Sequence, residues 1–151
     1  TVRPQVEHII TMSDVVKCSD EDAQWLYPRL DLDELAGRWL GLGASIVVVT
    51  RGPRGATAWS GPDRLDVPGK TLQVADTIGA GDSFSGGIID ALRAIGSLGA
   101  ENRDKLRNLG RAGLEPILHQ AISVSAITVS RPGADPPHRR ELPEEHRLHG
   151  R

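Results

Sequence analysis

Residues 76–87 read Asp-Thr-Ile-Gly-Ala-Gly-Asp-Ser-Phe-Ser-Gly-Gly (DTIGAGDSFSGG). The Gly79-Ala80-Gly81-Asp82 turn opens a helical pattern that runs from about Gly79 to about Ile95. A helix start leaves backbone N–H groups without intrahelical acceptors, and the helix dipole places partial positive charge there. Gly79 and Gly81 carry no side chain to hold a ligand off, so the place attracts phosphate or another anion. Asp82 sets a carboxylate in the first turn, beside that anion site. An anion cradle with a base next to it is the equipment for moving a phosphoryl group onto a hydroxyl. The residues alone also admit a plainer account. Glycine-rich strand-to-helix turns occur in α/β proteins that bind nothing there, and aspartate favours the first turn of helices for capping and dipole reasons. A dinucleotide-binding turn is disfavoured, because Phe84 stands where the third glycine belongs.

On the upstream side, Asp14 to Cys18 (DVVKC) is short, apolar and β-branched, and reads as a buried strand. Ser19 is an N-cap candidate, followed by Asp20, Glu21 and Asp22 in the first turn of a helix that carries Trp25 and Leu26 and stops near Pro28. A second helical pattern covers Leu32 to Leu42, with Leu35, Trp39 and Leu42 in one stripe and Gly41 and Gly43 at its end. Core packing is expected for Trp25 and Trp39. Ser45 to Thr50 (SIVVVT) is the clearest buried strand. A turn at Arg51 to Gly55 then leads into an antiparallel pair, Ala56–Ser60 and Leu65–Val67, and Gln73–Ala75 reads as a short strand. The opening PQVEHIITMSD is helical in pattern, with Val6, Ile9 and Ile10 on one side, and asks for a partner surface.

On the downstream side, Gly96 to Gly113 reads as a loop with part of a helix. Leu114 to Ser130 reads as a long helix with Ile117, Ala121, Val124 and Ile127 inward, broken by Arg131-Pro132-Gly133. Pro136 to Arg151 is rich in Pro, His, Arg and Glu and reads as a poorly ordered tail, with His138, His146 and His149 solvated. Strands alternating with helical patterns predict an α/β protein: a largely parallel sheet with helices on its faces.

The bulk numbers narrow the function classes. The 151 residues suit one modest domain, and with aromatics at only 3%, Val, Ile, Leu and Ala must build most of the core. The net charge of −2 supplies no basic field for nucleic acid. The single cysteine, Cys18, excludes an internal disulfide and a thiolate metal cluster, and a small buried residue is its expected role. No apolar stretch approaches the roughly 20 residues that span a membrane, and no secretory signal opens the chain. A cytoplasmic location is expected.

The string from Asp76 to Gly87 resembles the second signature of the ribokinase-like (PfkB-type) carbohydrate kinases. The resemblance extends from about Val6 to Glu141: DVVKCSDEDAQWLYP, VVVTRGPRG and SAITVSRPGADPP each resemble a segment of that family, and SDED, TRGPRG and SRPGADPP are most similar to fructokinase-like members. The resemblance implies the C-terminal part of a three-layer ribokinase-like fold, with a mostly parallel sheet and helices on both faces. Residues 1–141 would form that part and 142–151 a flexible tail. It implies ATP-dependent phosphorylation of a sugar hydroxyl, with ATP, Mg2+ and K+ as the associated cofactors. Asp82 matches the family's catalytic base, and Gly79, Ala80 and Gly81 match its anion hole. Thr50, Gly52 and Gly55 match nucleotide contacts, as does Ser19. Asp76, with the carbonyls of Ile78, Thr128, Arg131 and Gly133, matches a monovalent-cation site.

The chain departs from the pattern in two places. Pro137 stands where a hydroxyl residue often completes the cation site. Ser19 and Asp22 replace an Asn-x-x-Glu motif, so that Asp22 would reach magnesium through water. The expected partners are a sugar and a nucleotide, without nucleic acid or membrane; a homodimer is compatible with the full-length protein. Complete members are roughly twice as long, and the early Asp-Gly-Gly type sugar-binding motif has no counterpart here, so the N-terminal sugar-binding half is expected to be absent. Two alternatives stand beside the fructokinase-like reading. One is a kinase of the same family acting on ribose, a keto-deoxy sugar acid, a nucleoside or an aminosugar. The other is a truncated, non-catalytic nucleotide-binding domain.

Overall fold

The β-branched run after Ser45 becomes the second strand of a four-stranded sheet in the computed structural model, which describes residues 2–70 and 72–148. The strands are β1 (Val15–Ser19), β2 (Ile46–Thr50), β3 (Ala56–Ser60) and β4 (Asp63–Val67), in the spatial order β1-β2-β3-β4. β1 and β2 are parallel, with Val15 opposite Ile46 and Ser19 opposite Thr50. The sheet is antiparallel from β2 onward, through the β2–β3 and β3–β4 pairs. The helices are α1 (Val2–Ile10), α2 (Asp20–Leu26), α3 (Leu32–Leu42), α4 (Ala80–Ala94), α5 (Arg103–Arg107) and α6 (Gly110–Val129).

Alternation along β2 divides the core in two. Ile46 and Val48 face a cluster built from α4 and α6, with Phe84, Ile88, Leu92, Leu114, Leu118 and Ala121. Val47 and Val49 face the other side, where Ile10, Ala23, Leu35 and Trp39 pack. The sheet therefore carries α1–α3 on one face and α4–α6 on the other, as the strand and helix alternation predicts. The helix starts also follow local chemistry. Ser19 and Asp31 cap α2 and α3, each in a reciprocal capping box with the residue three positions on, Asp22 and Glu34. Among the described residues no helix is long and apolar enough to cross a membrane.

Some expectations need correction. Trp39 is buried, but Trp25 is 70% exposed, because it lies on the side of α2 turned away from the sheet. Gln73–Ala75 forms no strand; the amides of Ala75 and Asp76 donate instead to the carbonyl of Val129. Val124 and Ile127 of α6 are half-buried rather than inward. The C-terminal segment packs against the helices: Leu142 is buried and the Leu148 amide donates to Gln120 Oε1 at 3.0 Å. His146 is not solvated. Its ring stacks on His119 with centroids 5.0 Å apart, and its Nδ1 lies 2.8 Å from Ser123 Oγ. His149 lies outside the described residues. Burial pushes the Cys18 thiol up to about 12, so it stays protonated and inert at neutral pH.

Candidate active site

β1 and β2 end side by side, and the N-terminus of α4 sits beyond the same face. Gly79 provides the sharp entry, with φ +77° in the left-handed region. A Cβ there would also lie 2.8 Å from the Cβ of Ala134, so the chain approach demands glycine. Asp76 braces the turn. Its Oδ1 accepts from the Ile78 amide and its Oδ2 from the Gly133 amide, each at 3.0 Å. Those amides, Ile78 first, hold the Asp76 carboxyl below the usual carboxylate range. The turn's carbonyls are held as well. Ser83 and Ser125 hydroxyls donate to the Ala80 carbonyl, and the Ser85 hydroxyl and Lys17 Nζ donate to that of Gly81.

With the carbonyls so engaged, the amides are left over. Among the described residues, the N–H groups of Gly79, Gly81 and Asp82 find no protein acceptor. These are the donors that a helix start leaves unpaired, and their clustering at the positive end of a 15-residue helix suits an anion.

Two cavities meet at this turn. One, of about 600 Å³, is bordered by Gly79, Asp82 and Thr128 and by Pro136 to Arg139. The other, of about 540 Å³, is bordered by Thr50, Gly52 and Gly55 on the sheet side and by Ala80 and Gly81 on the helix side. Leu72, Val74, Phe84 and Val129 give the second cavity an apolar wall. The Gly79–Asp82 turn is thus a partition. Gly79 and Asp82 border one chamber, and Ala80 and Gly81 border the other, whose surroundings are largely apolar.

The sequence-derived candidates fall into three groups. Gly79, Ala80, Gly81 and Asp82 come together with Thr50, Gly52 and Gly55 around the two cavities. The Thr50 hydroxyl donates to the Cys18 carbonyl at 3.3 Å, and Gly55, at φ +92°, could not carry a Cβ, which would lie 2.0 Å from the Val67 carbonyl oxygen. The second group, Asp76, Ile78, Thr128, Arg131 and Gly133, converges on the turn after α6. There the Thr128 carbonyl accepts from the Arg131 amide, the Gly133 carbonyl accepts from the Asp135 amide, and the Arg131 guanidinium pairs with Asp135 and Glu141. Ser19 and Asp22 form the third group. Ser19 lies beside Thr50 in the sheet, but its hydroxyl and the Asp22 carboxylate are 2.7 Å apart in their capping box, and neither borders the two cavities. Among the described residues no three His, Cys, Asp or Glu side chains gather as a metal site.

Sequence reasoning missed Lys17, Ser125 and the apolar wall. A lone lysine inside an apolar β-branched run was the available signal for Lys17. Ser125 and Val129 are read only once α6 is docked against α4.

Comparison with known proteins gives a consistent picture. The family described as pfkB family carbohydrate kinase matches residues 1–140. A fructokinase of Rhizobium leguminosarum bv. trifolii is 40% identical over 89 residues, which cover 59% of this chain and 27% of that protein. The fructokinase double mutant of Vibrio cholerae O395 in its fructose, ADP and potassium-bound form superimposes with a TM-score of 0.71 at 26% identity, over 88% of this chain and 40% of that one. The ATP-bound fructokinase of Xylella fastidiosa shares the fold, with a TM-score of 0.76 at 22% identity, over 89% of this chain and 42% of that one. The chain therefore spans less than half the length of the relatives it matches.

Proposed function

The chain belongs to the pfkB family of carbohydrate kinases, and from that premise we propose that it is the nucleotide-binding and phosphoryl-transfer part of an ATP-dependent, fructokinase-like sugar kinase. The observation that carries this reading is the partition. A turn with three free amides separates a chamber bordered by Thr50, Gly52 and Gly55 from a chamber bordered by Asp82. In-line transfer needs a donor on one side, an acceptor on the other, and oriented dipoles at the crossing point.

In this reading the nucleotide lies along the second cavity. Its base rests on the apolar wall of Leu72, Val74 and Val129, and its phosphates run toward Ala80 and Gly81. The N–H groups of Gly79, Gly81 and Asp82 face the charge that spreads over the transferring phosphoryl group; donors of this kind are each worth about 3 kcal/mol in a dry site. The Asp82 carboxylate takes the proton of the sugar hydroxyl as that oxygen bonds to the γ-phosphorus and the bond to the β,γ-bridging oxygen breaks. The products are a sugar phosphate and ADP. Magnesium would be held chiefly by the phosphates and its own waters and would offset the charge of the phosphates; Asp22, engaged in its capping box and outside both cavities, does not fit the role of ligand. A monovalent cation would sit among the carbonyls of Ile78, Thr128, Arg131 and Gly133 with Asp76; the Vibrio cholerae relative is a potassium-bound form. Its effect would be to stiffen the loop that borders both cavities.

A fructose-like acceptor follows from the relatives' activity. The alternative acceptors are discriminated by the same assay. ADP release is followed with a panel of fructose, ribose, a keto-deoxy sugar acid, a nucleoside and an aminosugar. It is measured on this chain and on a chimera in which the chain replaces the matching part of the Rhizobium leguminosarum enzyme. Sugar-dependent ADP release that vanishes with Asp82→Asn supports the reading. A folded, nucleotide-binding chimera without sugar-dependent release points to the non-catalytic alternative.

A further inference from the structure

Asp82 shares its cavity with a second carboxylate to which none of the roles above applies. Asp90 stands further along α4, about two turns from Asp82, and borders the same space. Its Oδ2 accepts from Gln120 Nε2 at 2.8 Å, and its Oδ1 receives the Arg139 guanidinium. An exposed Arg93 also approaches Oδ1, at 3.5 Å. Gln120 comes from α6 and is only 1% exposed. Its Oε1 accepts from the Leu148 amide at 3.0 Å, and Arg139 Nη1 donates to the Leu148 carbonyl at 2.9 Å. The bonds close a ring through Asp90, Arg139, Leu148 and Gln120. A buried side-chain amide is costly without partners. Gln120 spends both of its polar ends on this ring, which joins α4 and α6 to the C-terminal segment.

The ring is one of two anchors. At the other, the Gly133 amide donates to Asp76 Oδ2 at 3.0 Å, and Ala134 lies so close to Gly79 that a Cβ there would meet it at 2.8 Å. Between the anchors the chain passes along the cavity of Asp82, and Pro136, Pro137 and His138 border it. Prolines carry no N–H. Among the described residues, neither Pro136 nor Pro137 makes a backbone hydrogen bond to a helix, and the His138 amide donates only to Glu141 of its own segment. This wall therefore has no polar tie to α4 or α6 along its length, and its place is set where it is anchored. The nucleotide cavity is bordered by neither Asp90, Gln120 nor residues 136–139.

Resting on the kinase reading above, we propose that Asp90 and Gln120 are positioning residues, which act through Arg139 to hold residues 136–139 as one wall of the acceptor cavity and so set how tightly the acceptor is bound. None of them touches the reacting atoms. A displaced wall removes contacts that are the same in the ground state and the transition state, which raises the KM of the acceptor and leaves kcat. The nucleotide, on the other side of the partition, is unaffected.

The test uses the chimera described above, with the acceptor from the panel that gives the fastest ADP release. KM is measured for that acceptor at saturating MgATP, and for MgATP at saturating acceptor. The proteins are the unsubstituted chimera, Asp90→Ala, Arg139→Met and the double variant. The acceptor KM is expected to rise about tenfold in each single variant, the lower end of what a lost pocket contact removes. In the double variant it should rise by about the same factor rather than about 100-fold, because both changes open one ring. The KM for MgATP and kcat are expected to change by less than about threefold. Only folded molecules turn over, so a KM is insensitive to partial unfolding of a variant. Equal rises in both KM values, an unchanged acceptor KM, a loss confined to kcat, or single effects that multiply in the double variant would each overturn the positioning role and leave the kinase reading standing. An unsubstituted chimera without sugar-dependent ADP release overturns the kinase reading, and the positioning role with it.

Discussion

Adjacent glycines in α4 should respond to the same substitution with opposite signs. Gly86 has open space where a Cβ would stand. At Gly87 the Cβ would lie 2.8 Å from Ala121 Cα and 3.4 Å from both Ala121 Cβ and Val124 Cβ. Carbon atoms in contact prefer about 3.5–4.0 Å, so a methyl at 87 must push α6 away by roughly 0.7 Å or more. Alanine gains about 1 kcal/mol over glycine in a helix interior at either position. Overpacking subtracts about 1–3 kcal/mol at Gly87 alone. The propensity gain is common to both variants, so their difference isolates the packing cost. For a chain of this size about 1 kcal/mol moves Tm by roughly 2–4 °C. Gly86→Ala is therefore expected to melt about 3 °C above the wild type, and Gly87→Ala about 6 °C below Gly86→Ala. Circular dichroism melts at 222 nm of the three proteins measure both numbers. Gly87→Ala melting level with Gly86→Ala would mean that α4 and α6 are not in close contact here. The account of how α6 supplies Ser125 and Thr128 to the site would then fail.

Asp82→Asn keeps the size of the side chain and loses its basicity, so turnover in an ADP-release assay should fall at least about 100-fold, with nucleotide affinity nearly unchanged; near-normal turnover would remove Asp82 from the role of base. For Asp76 the amides of Ile78 and Gly133 lower the folded-state pKa. Its stabilising contribution is thus complete above the ordinary carboxylate pKa and is lost as pH falls through the lowered value. Tm measured from about pH 5 to about pH 2.5 should fall more steeply for the wild type than for Asp76→Asn, and parallel curves would show that the carboxylate does not brace the turn.

Sequence legibility followed the range of the interactions. Both capping boxes are settled within three residues, so Ser19 and Asp31 start their helices with little help from the rest of the molecule. β2 is legible because an unbroken β-branched run has few other uses. The Gly79–Asp82 turn is legible because backbone geometry demands glycine at its entry and the first turn of a helix favours aspartate. Trp25 and Trp39 show where this stops. Both occupy amphipathic segments, yet only Trp39 meets Tyr27, edge to face at 6.1 Å, and an Arg38 guanidinium stands 5.9 Å from that Tyr27 ring. The choice between the two tryptophans belongs to the docking of three elements, which no local pattern encodes. The C-terminal segment misleads for the same reason. Its composition suits a solvated tail, but His146 and Leu148 have partners on α6 far away in sequence.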